Sequence, residues 1–147
     1  MKRHPALVPL SHDHRHLLFL CQQMKIDSPQ YEGFPLDLPG KLRYISGQMN
    51  RLLIPHFEKE ENNLFKPLAG LNKELDDLFL SLTEEHVVII RKFKELINVS
   101  TFELVEEAGT LLEKHIRKEE RVLFELIQER IPQKVLENIQ LSVYDPG

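Results

Sequence analysis

The sequence has a single cysteine, no tryptophan and no long apolar run. One cysteine, Cys21, excludes an internal disulfide framework and any zinc or iron–sulfur site built from several thiolates. No apolar stretch approaches the roughly 18 residues that a membrane-spanning helix needs, and no signal-peptide pattern follows the N-terminus. The 19 Lys plus Arg against 23 Asp plus Glu lack the basic excess typical of nucleic-acid-binding proteins. We therefore expect a cytoplasmic protein with no nucleic-acid or membrane partner.

The length and composition predict one ordinary folded domain. The chain has 147 residues, of which 41% are hydrophobic and 29% are charged. This composition allows a buried core and is unlike that of a disordered tail. We therefore expect a single domain across residues 1–147.

Apolar residues recur with helical spacing, and no stretch shows the sustained alternation of a strand. We expect a first helix capped by Ser11, and a second from about Lys41 to Lys66 that bends at Pro55. Asn72 is expected to cap the third helix. The Ser100–Glu103 spacing predicts a capping box for the fourth.

Short links join these four helices, except for a longer connection rich in proline and glycine over residues 29–40. A short amphipathic segment follows at 135–141. Each of the four helices carries an apolar stripe wide enough for a closed core. The predicted fold is all-α: an up-down antiparallel four-helix bundle with a short extra C-terminal helix.

The second and fourth helices contain the same sequence pattern. HFEKEENNLF, which begins at His56, matches HIRKEERVLF, which begins at His115, at six of ten positions. Each copy holds His-x-x-x-Glu, so that His56 shares a helix face with Glu60, and His115 shares one with Glu119. His86 interrupts the apolar stripe of the third helix. Periodicity assigns all five side chains to the core.

Two carboxylates in an apolar core predict a metal ion. A buried carboxylate without a partner costs several kcal/mol, and a cation bound by carboxylate and neutral imidazole offsets that cost. A lone core histidine is more often an ordinary hydrogen-bonded residue. Two His-x-x-x-Glu pairs and a third core histidine together favour a metal site.

The first helix offers three further histidines, and two arguments about them conflict. Periodicity favours His14, because the apolar side chains of that helix lie on its side. Ligand spacing favours His12 with His16, which are four residues apart, whereas His14 is rotated by about 200° from each. We prefer His12 and His16, with His14 as the alternative.

Taken together, these residues resemble the hemerythrin-like HHE cation-binding proteins. The resemblance rests on Ser11–His16, the two His-x-x-x-Glu-Glu-x-x-Leu-Phe patterns and the pair Glu85-His86. It implies an up-down four-helix bundle that holds two non-haem irons, bridged by Glu60, Glu119 and an oxo or hydroxo oxygen. The terminal ligands it implies are His12, His16, His56, His86 and His115.

The resemblance also bears on function. Oxygen-carrying members have two histidines four apart on the third helix and one on the first, whereas this chain has only His86 on the third. It is therefore closer to the bacterial relatives that respond to nitric oxide or repair iron–sulfur clusters. Glu61 and Glu120, which follow the two proposed bridges, are expected to be solvated or to accept hydrogen bonds from histidine N–H groups.

Three functions follow from this interpretation. The first is reversible binding of O₂ or NO at a di-iron centre, for sensing, storage or scavenging. The second is an enzyme that acts on peroxide or nitric oxide, or that delivers iron for iron–sulfur repair. The third is a metal-free helical interaction module. Imidazole and carboxylate ligands suit iron, and zinc, manganese or nickel can substitute for it.

Overall fold

The computed structural model describes residues 2–29, 31, 33–98 and 100–144, with the backbone alone for 140–144. In this part of the chain every regular element is helical and no strand is present, which confirms the predicted all-α fold. Within the same residues, no helix combines the length and the apolar character needed to cross a membrane. The five helices are α1 (Val8–Gln23), α2 (38–68), α3 (Lys73–Glu95), α4 (102–130) and α5 (Gln133–Tyr144).

Helix α1 begins earlier than the sequence predicts. It starts at Val8 with Pro9 in its first turn, where the missing N–H of proline has no cost. Ser11 therefore lies inside the helix, and the prediction that it caps α1 is wrong. Its hydroxyl instead donates a hydrogen bond to Glu120 on α4 at 2.8 Å.

Two helices begin with a side-chain cap near the expected position. The predicted cap of α3 is confirmed, because Oδ1 of Asn72 accepts a hydrogen bond from the backbone N–H of Leu75 at 3.0 Å. Helix α4 is capped by Thr101, whose hydroxyl accepts from the N–H of Leu104 at 3.2 Å. The cap is thus one residue later than the predicted Ser100, and the third helical position holds Leu104, which has no side-chain acceptor, so the predicted capping box is wrong.

Helix α2 starts at Leu38, three residues before the predicted Lys41, because Asp37 accepts a hydrogen bond from the N–H of Gly40 at 2.9 Å. The helix continues through Pro55, whose ring removes one backbone donor. A π-helical turn at Met49–Leu53 precedes this proline. The bend expected at Pro55 stays a prediction.

Two further π turns mark equivalent places in the two repeats. One covers Glu60–Phe65 in α2, and the other covers Glu119–Leu123 in α4. Each begins at the glutamate that the sequence analysis assigned to the core. Such turns occur mostly as single insertions and are frequent at functional sites.

The apolar core is divided into two clusters, and the helices pass between them in alternating order. Along α1, Leu10 belongs to one cluster and Leu17 to the other. Along α2 the order reverses: Leu53 belongs to the cluster of Leu17, and the later Leu64 belongs to the cluster of Leu10. Helices α3 and α4 repeat the alternation, which favours an up-down arrangement. A layer of polar side chains lies between the two clusters.

Helix α5 is longer than the predicted 135–141 and packs against the π turn Glu60–Phe65 of α2. Among its residues up to 139, Leu136 and Ile139 are buried on its apolar face. The predicted connection at 29–40 includes residues 30 and 32, which lie outside the described residues.

Candidate metal centre

Six polar side chains form the layer between the two apolar clusters, and each is at most 3% exposed. Helices α1 and α3 contribute one histidine each, and α2 and α4 contribute one histidine and one glutamate each. We call this set the buried centre: His14, His56, Glu60, His86, His115 and Glu119.

The buried centre consists of two groups that share both glutamates. Each group is completed by a histidine pair, and one ligand atom from every member lies within 4.8 Å of the others. His14 and His56 form one pair, and their rings are 4.7 Å apart with an interplanar angle of 65°. His86 and His115 form the other pair, at 4.9 Å and 66°. The two halves therefore have nearly the same geometry.

The Nε2 atoms of all four histidines face carboxylate oxygens. In the first half, Nε2 of His14 lies 3.1 Å from Glu119 and 3.6 Å from Glu60, and Nε2 of His56 lies 3.3 Å from Glu60. In the second half, Nε2 of His86 lies 3.1 Å from Glu60 and 3.8 Å from Glu119. Nε2 of His115 lies 3.4 Å from Oε2 of Glu119.

Each carboxylate divides its oxygens between the two histidine pairs. Oε2 of Glu60 approaches His14 and His56, while its Oε1 approaches His86. Oε1 of Glu119 approaches His14, while its Oε2 approaches His86 and His115. This is the orientation that a carboxylate needs to bridge two cations.

The other ring nitrogen of each of the four histidines in the buried centre is hydrogen-bonded to a carboxylate. Nδ1 of His14 donates to Glu120 at 2.5 Å, and Nδ1 of His86 donates to Glu61 at 2.6 Å. Likewise, Nδ1 of His56 donates to Asp13 at 3.0 Å, and Nδ1 of His115 donates to Glu85 at 2.7 Å. Such contacts fix the tautomer and ring orientation of metal-binding histidines.

The outer carboxylates are held in turn by cations. Lys59 donates to Asp13 at 3.0 Å, and Lys118 donates to Glu85 at 2.7 Å. Both lysines occupy the same position in the repeated sequence, three residues after the histidine whose acid they contact. The repeat thus specifies the supports of the centre as well as its core.

The inward-facing atoms fit a cation better than a hydrogen-bond network. The four Nε2 atoms and all four oxygens of Glu60 and Glu119 have no hydrogen-bond partner among the described residues. Buried polar atoms are usually paired, since leaving them unpaired costs about 1–3 kcal/mol each. Neutral imidazole and carboxylate at these distances are suitable ligands for divalent metals.

The electrostatics of the centre favour protonated histidines when no cation is bound. Burial opposes protonation of His86, but the carboxylates of Glu119 and Glu60 raise its pKa to about 10. Burial likewise opposes protonation of His115, yet Glu119 and Glu85 raise its pKa to about 9. The pKa of Glu60 lies well below its usual value despite complete burial, because the histidines stabilise its anion.

The structure corrects the choice among the first-helix histidines. His12 and His16 are exposed and do not join the other predicted residues, whereas His14 is 1% exposed and lies in the centre. The apolar side of α1, with Leu10 and Leu17, turns position 14 inward. Opposite faces of one helix cannot both reach the core, so the centre has four histidines instead of the five expected. His56, Glu60, His86, His115 and Glu119 are brought together.

Two supporting residues were not found by sequence reasoning. Asp13 and Glu85 each come directly before a core histidine, and each contacts the histidine of another helix. An acid before a core histidine in two helices was the available signal. For Glu61 and Glu120, the structure agrees with the second of the two expectations, acceptance of histidine N–H groups.

Comparison with known proteins agrees with this geometry. The family model for the hemerythrin HHE cation-binding domain matches residues 7–130, so the chain belongs to that family. No curated protein matches the chain, and no solved structure does. The family and the buried histidine–glutamate centre together fit a metal-binding protein.

Proposed function

We propose that the chain binds two iron ions in the buried centre and reversibly binds O₂ or NO there, for sensing, storage or scavenging. One ion would take Nε2 of His14 and His56, and the other would take Nε2 of His86 and His115. Glu60 and Glu119 would bridge the two. The observation that carries the proposal is the division of each carboxylate's oxygens between the two histidine pairs.

The donor set supports iron over metals that prefer sulfur. Four imidazoles and two carboxylates supply nitrogen and oxygen ligands, and sets of this kind hold non-haem iron with coordination positions left for a small ligand. The same ligands accept zinc, manganese or nickel, so the metal bound in the cell depends on supply as well as affinity. When bound, iron would supply the electrons and the coordination site for O₂ or NO.

The protein's own residues would orient the ligands and exclude water. The hydrogen bonds from Nδ1 to the outer carboxylates direct each Nε2 inward. Aromatic rings cover the histidines: Phe57 stacks on His86 with ring centroids 3.8 Å apart, and Phe124 stacks on His14 at 5.6 Å. An open pocket of about 570 Å³ is lined by Phe57, Glu61 and His86 among others, and we take it as the side from which a small molecule approaches this half of the centre.

An enzyme that acts on peroxide or nitric oxide at the same centre is the second candidate. Glu61 favours it, because this carboxylate lines the pocket and accepts the hydrogen bond from His86. A half-buried carboxylate at that place can carry protons between solvent and the centre, which reduction of oxygen species requires.

Metal analysis combined with visible spectroscopy tests the proposal. Protein loaded anaerobically with ferrous salt is expected to hold about two irons per chain, and its visible spectrum is expected to change on adding O₂, NO or azide. A stable adduct without turnover supports the binder, and catalytic consumption of peroxide or NO supports the enzyme. Less than about 0.2 ions per chain after loading would favour the metal-free module.

A further inference from the structure

The two exposed histidines of α1 form a pair of their own. His12 and His16 are four residues apart on one helix face, and their Nε2 atoms lie 3.4 Å from each other. Their ring centroids are 5.0 Å apart, with an interplanar angle of 81°. Both side chains are exposed, and they lie on the opposite side of α1 from the buried His14. No part of the buried centre uses them.

The separation of these two nitrogens is the one that a tetrahedral metal imposes. With zinc–nitrogen bonds of about 2.0–2.1 Å and a tetrahedral angle, two ligating nitrogens lie about 3.3 Å apart. The observed distance of 3.4 Å agrees with this spacing. Two histidines at i and i+4 on a helix are also the pair that helical zinc-binding motifs use. The contact is a hydrogen bond between the two rings, so a cation that binds both nitrogens displaces that proton and the rings turn toward the ion, while their separation is kept.

We propose that His12 and His16 form a second, exposed cation site that binds one divalent ion of the zinc type per chain, with water completing its coordination. The rigid helix holds the second imidazole next to the first, so its binding step is intramolecular. The ligand atoms are imidazole nitrogens, so the site suits ions that prefer nitrogen, whereas magnesium and calcium prefer oxygen. The proposal is independent of the metal and the function of the buried centre.

An immobilised metal probes this site without involving the buried centre. The four buried histidines are at most 3% exposed, so a metal fixed to a solid support cannot reach them. The untagged full-length protein is expected to be retained on a zinc-charged iminodiacetate column. His12→Gln and His16→Gln are each expected to lose retention, and Arg15→Gln, an exposed change between the two histidines, is expected to keep it.

Calorimetric titration with Zn²⁺ alone, on protein whose buried centre has been loaded with metal, gives the stoichiometry and affinity. We expect one added Zn²⁺ per chain, bound at least about tenfold more weakly after either substitution, because one imidazole is left. Circular dichroism is expected to show unchanged helix content, since both positions are exposed. Retention of both single variants as in the wild type, or passage of the wild type through the column, would overturn the proposal.

Discussion

Asp13 on α1 accepts a hydrogen bond from Nδ1 of His56 on α2 at 3.0 Å, while the next residue of α1, His14, faces the same centre directly. Helices α3 and α4 repeat this relationship, since Glu85 accepts from His115 and precedes His86. Two adjacent residues of one helix thus serve different histidines. The acid–histidine pair connects neighbouring helices and orients the ligands of both.

Removing one of these acceptors should weaken metal binding without removing a ligand. Asp13→Asn and Glu85→Gln keep the shape of the side chain, but they remove the negative charge that orients His56 and His115. Loss of such a partner typically costs about 10–100-fold in metal affinity. Competition with a chromogenic chelator measures this change. Glu84→Gln alters an exposed residue beside Glu85 and is the matched control. Equal affinities in all three variants would contradict the orienting role.

The two shared glutamates should be essential for the dinuclear centre. In Glu60→Gln and Glu119→Gln, the introduced amide cannot bridge two cations as the carboxylate does. We therefore expect less than about one iron per chain. Without metal, each variant also leaves buried imidazolium without its counter-charge, a loss of the order of 3–5 kcal/mol in unfolding free energy. Iron analysis and urea unfolding measure the two effects. Glu58→Gln, an exposed change on α2, should retain wild-type iron content and stability.

Among the first-helix histidines, only His14 should be needed for iron binding at the buried centre. His14→Gln removes a nitrogen from the half of the centre shared with His56, so we expect at most about one iron per chain. His12→Gln and His16→Gln leave the centre untouched and should hold the wild-type amount. Metal analysis after anaerobic iron loading measures this difference. Iron loss in the His12 or His16 variant, together with normal loading of His14→Gln, would reverse the assignment.

The helices were predictable because their apolar periodicity is strong, but their starting residues were less so. Asn72 was identified as a cap because it directly precedes a periodic apolar segment. Ser11 has the same side-chain chemistry as a cap, yet Pro9 and the buried Leu7 and Leu10 extend α1 by one turn before it. Packing of these apolar side chains determines the start of the helix, and local capping preference alone does not include that contribution.

The site was predictable where the sequence repeats itself. Glu60 and Glu119 occupy the same position in two copies of one pattern, so a shared core role followed from the repeat. The first helix has no second copy of its three histidines, and the spacing of His12 and His16 suggested a chelating pair. The structure has that pair on the exposed side of the helix. Correct ligand spacing does not determine which face of a helix is buried.

Metal binding at the buried centre should release protons. The pKa values of about 10 for His86 and about 9 for His115 mean that both rings are cationic at pH 7 before metal binds, and the pKa values of His14 and His56 are also raised. A cation needs a free Nε2, so binding should displace up to about four protons per chain. Affinity should therefore rise with pH until about pH 9–10.

This release can be measured by anaerobic titration with ferrous salt in weakly buffered solution containing a pH indicator. A variant with both His12→Gln and His16→Gln should be used, so that only the buried centre contributes. Release of less than about one proton per chain at pH 7 would show that the histidines are neutral before the metal binds.

Cys21 should be unreactive in the folded protein and should make stability depend on alkaline pH. Burial, together with the nearby Glu113 carboxylate, raises the pKa of its thiol from 9.0 to about 12. The unfolded chain releases this proton near pH 9 and the folded chain does not, so the free energy of unfolding falls as pH rises between these values. Since Cys21→Ala removes this titration, its stability should fall less than that of the wild type from pH 9 upward. Urea unfolding at several pH values measures the difference, and parallel curves for both proteins would show that the thiol has an ordinary pKa.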